Sequence, residues 1–292
     1  MDKDLIVGVV DNYNWDKIKY WANSIKKSGF EGYKALIVYN MDAATVKKLT
    51  EEDFMLIGCT QYDAQTGFRP DNSRGNVMVD RFFHISSFLS MLEKPMDVDR
   101  VVMTDVRDVV FQSNPTEWLD TYFLNNTQLL VGSENMTYGS EPWGRNNLKH
   151  AFGEYFLESA KVKEIYCAGV IAGTRMALKD FALNLWLICR GLNPQVPGGG
   201  GPDQAAMNIA LGMEAYKEAL EEGIAPEQAR LLLPAYGMYV RWRWTTSLQG
   251  VLTFLDQRLE HDARAEIQQY AFAVKDLAHQ AFPHTFKELY ND

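Results

Sequence analysis

Two carboxylates in the stretch RVVMTDVRDVVFQSNP, residues 100–115, are the groups of this chain best placed for chemistry. Asp105 and Asp108 follow a short apolar run, which predicts a strand buried on both faces of a mostly parallel sheet. Open α/β sheets bind their ligands at the carboxyl ends of central strands. Because Mg²⁺ and Mn²⁺ favour carboxylates and substrate phosphates, this position predicts a metal site. Aspartates at such a junction also cap backbone amides, and the residues alone leave both interpretations open.

Composition bounds the class of protein without selecting a function. The 292 residues are 47% hydrophobic, enough for one large α/β domain or two small ones. A formal net charge of −9 argues against a dominant nucleic-acid role, because phosphate backbones need clustered cations. The nearest basic candidate is RWRW at residues 241–244. Its alternation is typical of a strand with one polar face, and a base-stacking platform is the alternative.

Cysteine usage and the chain's first residues predict a cytoplasmic protein. Cys59, Cys167 and Cys189 are far apart and form no CxxC pair, so we expect reduced structural thiols. The N-terminal MDKDLIVGVV enters a strand at once, without the basic start or apolar core of a signal peptide. No segment reaches the roughly eighteen apolar residues that indicate a membrane span.

Strand and helix patterns alternate from the start of the chain and predict a βαβ unit. LIVGVV predicts a buried strand, a helix follows over about residues 15–28, and KALIVYN is the second strand. The loop DNYNW between the first strand and the helix carries Asp11, Asn12 and Tyr13. It lies at the carboxyl end of the first strand, on the same edge as Asp105 if the strands are parallel.

An arginine lies on the apolar side of a later predicted helix. That helix repeats apolar residues at spacings of four, three, four and three, namely Met78, Phe82, Ile85, Leu89 and Leu92. Arg81 lies along this stripe, so we expect its side chain to face inward. A buried cation needs an anion, either a carboxylate in a structural ion pair or a nucleotide phosphate held by the guanidinium fork.

A glycine-rich turn, NPQVPGGGGPDQAAMN, delivers Asp203 and Gln204 to the first turn of another helix. Aspartate at a helix start usually caps it, yet glycines also leave room for a bound sugar beside the carboxylate. The four glycines do not predict a phosphate loop, because neither GKS nor GKT follows them. Farther on, His279 and Gln280 follow a weakly apolar run, where a lone histidine is more often structural than a ligand.

Several of these pieces, in this order, resemble GT-A-fold nucleotide-sugar glycosyltransferases, most closely a branch distantly similar to glycogenin-type enzymes. The pieces are DNY, the helix arginine, TDVRDVVFQSNP, SENMTYGSEPWGRNNL, YCAGVIAG, GGPDQAAMN and a late HQ. The resemblance spans roughly Leu5 to Leu289 and implies an α/β GT-A fold with a mostly parallel central sheet and helices on both faces. It implies a single domain over residues 1–292, with a nucleotide-binding half at about 1–130. The acceptor half and C-terminal tail would occupy about 131–292.

The resemblance also implies roles for the matching residues. The metal ligands would be Asp105, Asp108 and His279. The nucleotide and donor contacts would be Asp11, Asn12, Tyr13, Arg81, Asp105 and Arg107. Asp203 and Gln204 would be catalytic residues that border the donor sugar and the acceptor. An inverting reaction also needs a carboxylate base for the acceptor hydroxyl, and the candidates are Glu134, Glu141 and Asp203.

The chain departs from the family pattern at two points. Its two acids are three residues apart, with Arg107 at the second position after Asp105, which puts in doubt which acid touches the metal. After HQ the chain continues Ala-Phe-Pro where a Tyr-Asp-Arg-like sequence is expected. His279 is therefore less secure than the acids, and His284 is the substitute.

The implied function is metal-dependent transfer of a sugar from a nucleotide-diphosphate donor to an acceptor hydroxyl in glycan or polysaccharide synthesis, with retention favoured over inversion. A bound Mn²⁺ or Mg²⁺ and an arginine would stabilise the leaving phosphate. The partners would be a nucleotide sugar and a glycan or small-molecule acceptor, without nucleic acid or a transmembrane segment, and with peripheral membrane association left open.

Three alternatives to that function remain. A non-catalytic sugar-nucleotide or partner-binding module could use the same fold. A haloacid-dehalogenase-like phosphatase would need a DxDGT-type first strand, and a nucleotidyltransferase a GxGTRL-like loop after it. The sequence DNYNWD matches neither of those two motifs.

Overall fold

The structure, a computed structural model, describes residues 3–69, 76–92, 98–123, 127–197, 199–229, 232 and 245–290. The chain divides into two compact units, Met1–Met238 and Tyr239–Asp292. The RWRW stretch at residues 241–244 lies outside the described residues. Within the described residues, no helix is both long and apolar enough to cross a membrane.

The first unit contains every strand of the described residues and the first nine helices. The strands are β1 (Lys3–Asp11), β2 (Tyr33–Asn40), β3 (Met55–Gly58), β4 (Tyr62–Asp63), β5 (Gly67–Phe68), β6 (Val98–Thr104), β7 (Leu129–Thr137) and β8 (Glu164–Thr174). The helices are α1 (Trp15–Lys27), α2 (Ala43–Glu51), α3 (Val77–Met91), α4 (Pro115–Tyr122), α5 (Pro142–Phe152), α6 (Glu154–Ala160), α7 (Arg175–Cys189), α8 (Asp203–Glu221) and α9 (Pro226–Ala229).

Six strands form one sheet in the order β3-β2-β1-β6-β8-β7. Strand β1 is parallel to β2 and β6, and β2 is parallel to β3. Strand β8 is antiparallel to both β6 and β7, so the sheet is mixed. The chain moves from β1 outward to β3 and then returns to the other side of β1 as β6, which creates a topological switch point between β1 and β6. The assignment of this α/β architecture to the GT-A fold stays a prediction.

Local sequence explains where the helices begin and end. Asn14, Asp42 and Asn76 each accept a hydrogen bond from a backbone N–H in the first turn of the helix that follows. Helix α1 ends at Lys27, and Gly29 follows with a φ of 77°, the left-handed conformation that commonly ends a helix.

Apolar cores cover both faces of the sheet. On one face, α3, α7 and α8 contribute Phe82, Leu185 and Met207 to the larger core. On the other face, α1 and α2 contribute side chains such as Trp21 and Leu49. The stripe predicted for α3 is buried at Phe82, Ile85, Leu89 and Leu92, while Met78 is 42% exposed.

The second unit contains α10 (Leu248–Arg258), α11 (Ala265–Ala281) and α12 (Pro283–Tyr290). These helices enclose a small core formed by Leu252, Leu255, Ala271 and Phe286. His279 lies on α11, where its ring centroid is 5.9 Å from that of Phe286.

Candidate functional site

The switch point brings the loop after β1 beside the residues that follow β6. Burial raises the pKa of Tyr13, Arg107 opposes that rise, and Asp108 and Asp105 add to it. The loop after β1 and the loop after β6 are therefore close enough for their charges to interact. The charge of Asp11 also raises the pKa of Tyr13. The residues predicted in the first loop, Asp11, Asn12 and Tyr13, therefore lie at this edge of the sheet.

Asn12 holds the first loop in an unusual backbone conformation. Its φ is 56°, in the left-handed region that asparagine tolerates better than most residues. Its backbone N–H donates to the Asn40 carbonyl at 2.9 Å, which ties the loop to the end of β2. Lys17 donates to the Asn12 carbonyl at 3.3 Å and lies 5.1 Å from the centre of the Tyr13 ring. Lys17 was not predicted from the sequence, and it supplies a cation beside the loop after β1.

Arg81 joins three elements at the centre of the site. Its Nη1 donates to Asp105 Oδ1 at 2.6 Å, and its Nη2 donates to Asp203 Oδ2 at 2.5 Å. The arginine lies on α3, Asp105 directly follows β6, and Asp203 begins α8. The inward-facing guanidinium therefore has protein carboxylates on both terminal nitrogens.

This Arg81–Asp105–Asp203 triad contains one cation and two carboxylates, and its side chains differ in their exposure to solvent. The side chains of Arg81 and Asp203 are 11% and 10% exposed, whereas the Asp105 side chain is 41% exposed. Burial disfavours charge on Arg81, but Asp203 and Asp105 outweigh that effect and raise its pKa. Burial raises the pKa of Asp105 more than Arg81 lowers it. With all three groups ionised, the triad carries one net negative charge.

Gly169 on β8 leaves space for the Asp105 carboxylate. A Cβ atom built at Gly169 would lie 2.7 Å from Asp105 Oδ2, closer than real contacts allow. The Asp105 backbone N–H also donates to the Gly169 carbonyl at 2.7 Å. A larger residue at position 169 would therefore collide with the Asp105 carboxylate.

A second polar layer fixes the first turn of α8. Gln204 donates through Nε2 to Glu134 Oε1 at 2.8 Å, and its Oε1 accepts from the Ala168 backbone N–H at 3.3 Å. Buried Asn147 donates to the Gly201 carbonyl at 2.8 Å. Asn147 was absent from the sequence-based site, because asparagine in a helix gives no pattern that identifies a buried hydrogen-bonding role.

The structure thus brings together the predicted residues of the first unit. Asp11, Asn12, Tyr13, Arg107 and Asp108 line the switch point. Arg81, Asp105 and Asp203 form the triad, and Gln204 bonds to Glu134 beside it. Glu141 instead caps α5, with its carboxylate accepting from the backbone N–H groups of Trp143 and Gly144.

Comparison with known proteins relates part of the chain to thymidylate synthesis. Residues 195–284 match the family described as Thymidylate synthase complementing protein, Thy1. A flavin-dependent thymidylate synthase of Thermosipho africanus is 35% identical over 85 residues, 29% of this chain and 37% of the relative. One from Kosmotoga olearia is 38% identical over 78 residues, 27% of this chain and 34% of the relative. One from Thermus thermophilus is 33% identical over 96 residues, 31% of this chain and 35% of the relative.

Each match covers only part of this chain and only part of the relative. The chain spans just over a third of the length of the curated relatives that it matches. The matched segment begins before α8 and continues through α11, so it includes Asp203 and Gln204 of the site and all of α10. It also crosses from the first compact unit into the second.

The comparisons correct the function expected from the sequence. The resemblance to GT-A glycosyltransferases and the predicted sugar transfer in polysaccharide synthesis are wrong, because the family match and the relatives are thymidylate synthases. The short motifs that suggested sugar transfer combine acids, glycines and an arginine, which many ligand sites at sheet edges share.

The predicted cofactors and partners are corrected by the same findings. The predicted Mn²⁺ or Mg²⁺ with a nucleotide-sugar donor is wrong, because the relatives are named for their dependence on flavin. The predicted glycan acceptor is also wrong, because the family and the relatives are named for thymidylate synthesis. Among the described side chains, no group of three or more His, Cys, Asp or Glu residues could hold a metal ion. Asp105 instead accepts from Arg81, and His279 lies in the other compact unit from Asp105 and Asp108.

Removing the cation of the triad tests its contribution to stability. Arg81→Met should lower the free energy of unfolding by about 3–5 kcal/mol, because Asp203 would stay buried without its ion-pair partner. Urea denaturation at pH 7 measures the change. Arg69→Met is the matched control, since its pair with Asp63 is exposed and worth about 0–1 kcal/mol. Equal losses in the two variants would contradict a buried, interdependent triad.

The pH dependence of stability tests the environment of Asp105. Its folded-state pKa is raised above 3.8, so the associated stability is present below that value and is lost as pH rises through the folded pKa. Wild type should therefore lose stability relative to Asp105→Asn as pH rises from 3.8. Urea denaturation at a series of pH values measures this difference.

Asp16→Asn is the control for that pH series. A hydrogen bond from Lys19 lowers the pKa of Asp16, so the stability it contributes is lost as pH falls. The two variants should differ from wild type with opposite slopes. A difference for Asp105→Asn that is constant with pH, or that follows Asp16→Asn, would contradict the raised pKa.

Proposed function

We propose that this protein acts in nucleotide metabolism as a flavin-dependent thymidylate synthase, with the nucleotide bound in the crevice between β1 and β6. The observation that carries this proposal is the position of Asp203 and Gln204. Both belong to the segment that resembles the thymidylate synthases, and both lie at the switch point where open α/β sheets bind ligands.

The chemistry of the crevice supports a nucleotide monophosphate as its ligand. Tyr13 offers an aromatic ring, and Asn12 offers an amide that can both donate and accept hydrogen bonds with a base. Lys17 lies over that ring, and Arg107 acts on it electrostatically, so both supply positive charge beside it. We assign the base to the loop after β1 and the phosphate to the basic side chains.

The acidic side of the crevice receives the reacting end of the nucleotide in this proposal. Glu134 is the candidate general base, because its carboxylate is oriented by the amide of Gln204. Asp203 is a positioning residue there, since Arg81 holds its carboxylate. Asp105 accepts from Arg81, and both Asp105 and Asp108 act electrostatically on Tyr13 in the loop after β1.

The crevice does not fit the flavin as well as the nucleotide. A flavin ring has three fused rings and needs a mainly apolar slot, whereas the residues gathered at the switch point are acids, amides and cations. The start of α8 carries Asp203, whose charge opposes binding of a flavin phosphate at that helix terminus.

Thymidylate binding tests the proposed nucleotide site. At a hundredfold excess over its Kd, thymidylate should raise the free energy of unfolding of the full chain by about 2.7 kcal/mol, because it binds only the folded state. Tyr13→Ala should lose most of this stabilisation, since the variant removes the ring assigned to the base. Thermal unfolding with and without thymidylate measures both effects.

Tyr20→Ala provides the control for the loss of a tyrosine. Tyr20 is 63% exposed on α1 and lies outside the crevice loop, so this variant should respond to thymidylate as wild type does. The proposal would be overturned if thymidylate failed to stabilise wild type, or if the Tyr13 and Tyr20 variants responded equally.

A further inference from the structure

Helix α7 carries apolar side chains on two opposite sides, and the fold buries only one of them. The inner side packs in the larger core through Leu178, Phe181, Ala182, Leu185 and Cys189. The exposed residues of the helix are Met176, Asp180, Leu183, Asn184 and Leu187. Met176 is 51% exposed, Leu183 38% and Leu187 49%, so three of these five are large apolar side chains. A helix side that met only water would be mainly polar.

The spacing on the outer side of α7 is typical of an interface between two helices. The intervals are four, three, four and three residues along what we call the α7 face, which consists of Met176, Asp180, Leu183, Leu187 and Arg190. Alternating intervals of three and four keep side chains on one line along a helix, where a second helix can pack against them. Single exposed apolar residues are common, but a row at this spacing indicates a docking surface.

Apolar surface on the neighbouring helices flanks the α7 face. Leu187 borders a groove of about 240 Å³ between α7 and α8, which is also lined by Met213, itself 44% exposed. Towards α3, the centre of the Trp186 ring lies 4.8 Å from that of Phe83, which is 39% exposed. The surface is therefore wider than one helix, and its groove can receive a side chain from a helix packed against α7.

The charges of the α7 face indicate what occupies it. Asp180 and Arg190 are ten residues apart, or about 15 Å along a helix, so they do not pair with each other within one chain. The Asp180 side chain is 65% exposed despite its contact with Lys179 at 3.3 Å. Arg190 is also exposed, with its guanidinium 4.8 Å from the centre of the Trp186 ring. An acid at one end and a base at the other make the face complementary to an antiparallel copy of itself.

One antiparallel register satisfies both the apolar and the charged residues. When Leu183 faces Leu187 of a second copy, Asp180 faces Arg190 of that copy, because each member of the charged pair lies three residues beyond its leucine. Two-fold symmetry repeats both contacts, so two contacts between leucines lie between two ion pairs. Buried apolar contacts flanked by complementary charges are the arrangement that stabilises paired helices and fixes their register.

We infer that this chain forms a two-fold dimer through the α7 face, with Asp180 of each copy paired to Arg190 of the other. The inference does not depend on the proposed function, because α7 contributes no residue to the triad or to the crevice. Helix α7 also precedes the segment that matches the thymidylate synthases, residues 195–284. The dimer is therefore inferred from the unit that contains the sheet.

Charge reversal tests the dimer and its register. Asp180→Arg should weaken self-association about tenfold or more, because the new arginine would face Arg190 of the second copy. Arg190→Asp should weaken it similarly, since two acids would then face each other. An equimolar mixture of the two variants should associate as wild type does, because each reversed charge then meets its opposite. Sedimentation velocity of the full chain at roughly 1–100 µM measures each dimer Kd.

Matched controls separate the α7 face from the rest of the surface. Glu117→Arg reverses an exposed acid on α4, a helix that packs on the opposite face of the sheet, and should leave association unchanged. Leu187→Glu should abolish association, whereas Val162→Glu, at an aliphatic residue that is 80% exposed outside α7, should not. Circular dichroism confirms folding of each variant, and Leu187→Glu decides the question if a charge-reversal variant is unfolded.

Three outcomes would overturn the inference. The first is a wild-type chain that is monomeric at about 100 µM. The second is a dimer that neither Leu187→Glu nor Asp180→Arg weakens, because another surface would then hold the two copies together. The third is loss of the dimer in both charge-reversal variants without recovery on mixing, which would contradict the pairing of Asp180 with Arg190.

Discussion

The double ion pair of Arg81 is the interaction on which the geometry of the site depends. The guanidinium joins α3 to the end of β6 and to the start of α8, elements separated along the chain by 24 and 122 residues. Burying that cation is favourable only because two carboxylates surround it. The same contacts turn Asp203 inward and hold Asp105 at the switch point. The triad therefore determines both where α8 begins and which acidic oxygens remain available in the crevice.

Arg81 also explains why the segment similar to thymidylate synthases cannot be treated as a separate module. Helix α8 lies within that segment, yet Ala206, Met207 and Ala210 belong to the core shared with α3 and α7. Polar contacts from Arg81 to Asp203 and from Asn147 to Gly201 add to that packing. The first part of the segment is thus integral to the unit that contains the sheet, whereas α10 and α11 belong to the second unit.

Local patterns allowed much of the sheet edge to be predicted from sequence. The apolar runs of β1, β2 and β6 are continuous, and the helix stripe placed Arg81 inward, because both signals depend on residues close in the chain. The partners of Arg81 could not be selected, since a carboxylate and a phosphate satisfy the same guanidinium. The antiparallel pairing of β8 with β6 and β7 was also missed, because short apolar runs do not encode strand direction.

The function was predicted wrongly for a related physical reason. Paired acids, a glycine-rich turn and an inward arginine define an edge suited to anionic or polar ligands, but they do not specify the reaction. The segment that matches thymidylate synthases, residues 195–284, includes helices α10 and α11. Their sequences show amphipathic repeats but no short motif of catalytic or ligand-binding residues. The sequence of these helices therefore did not predict a function.

Calorimetric titration of the full chain tests the central claim most directly, because it compares ligands of different metabolic classes in one measurement. Thymidylate and, separately, UDP-glucose with Mn²⁺ would be titrated into wild-type protein at the same concentration. We expect saturable heat at one site for thymidylate and none for UDP-glucose with Mn²⁺. Saturable binding of the sugar nucleotide that depends on Mn²⁺, with no heat from thymidylate, would contradict a role in thymidylate synthesis.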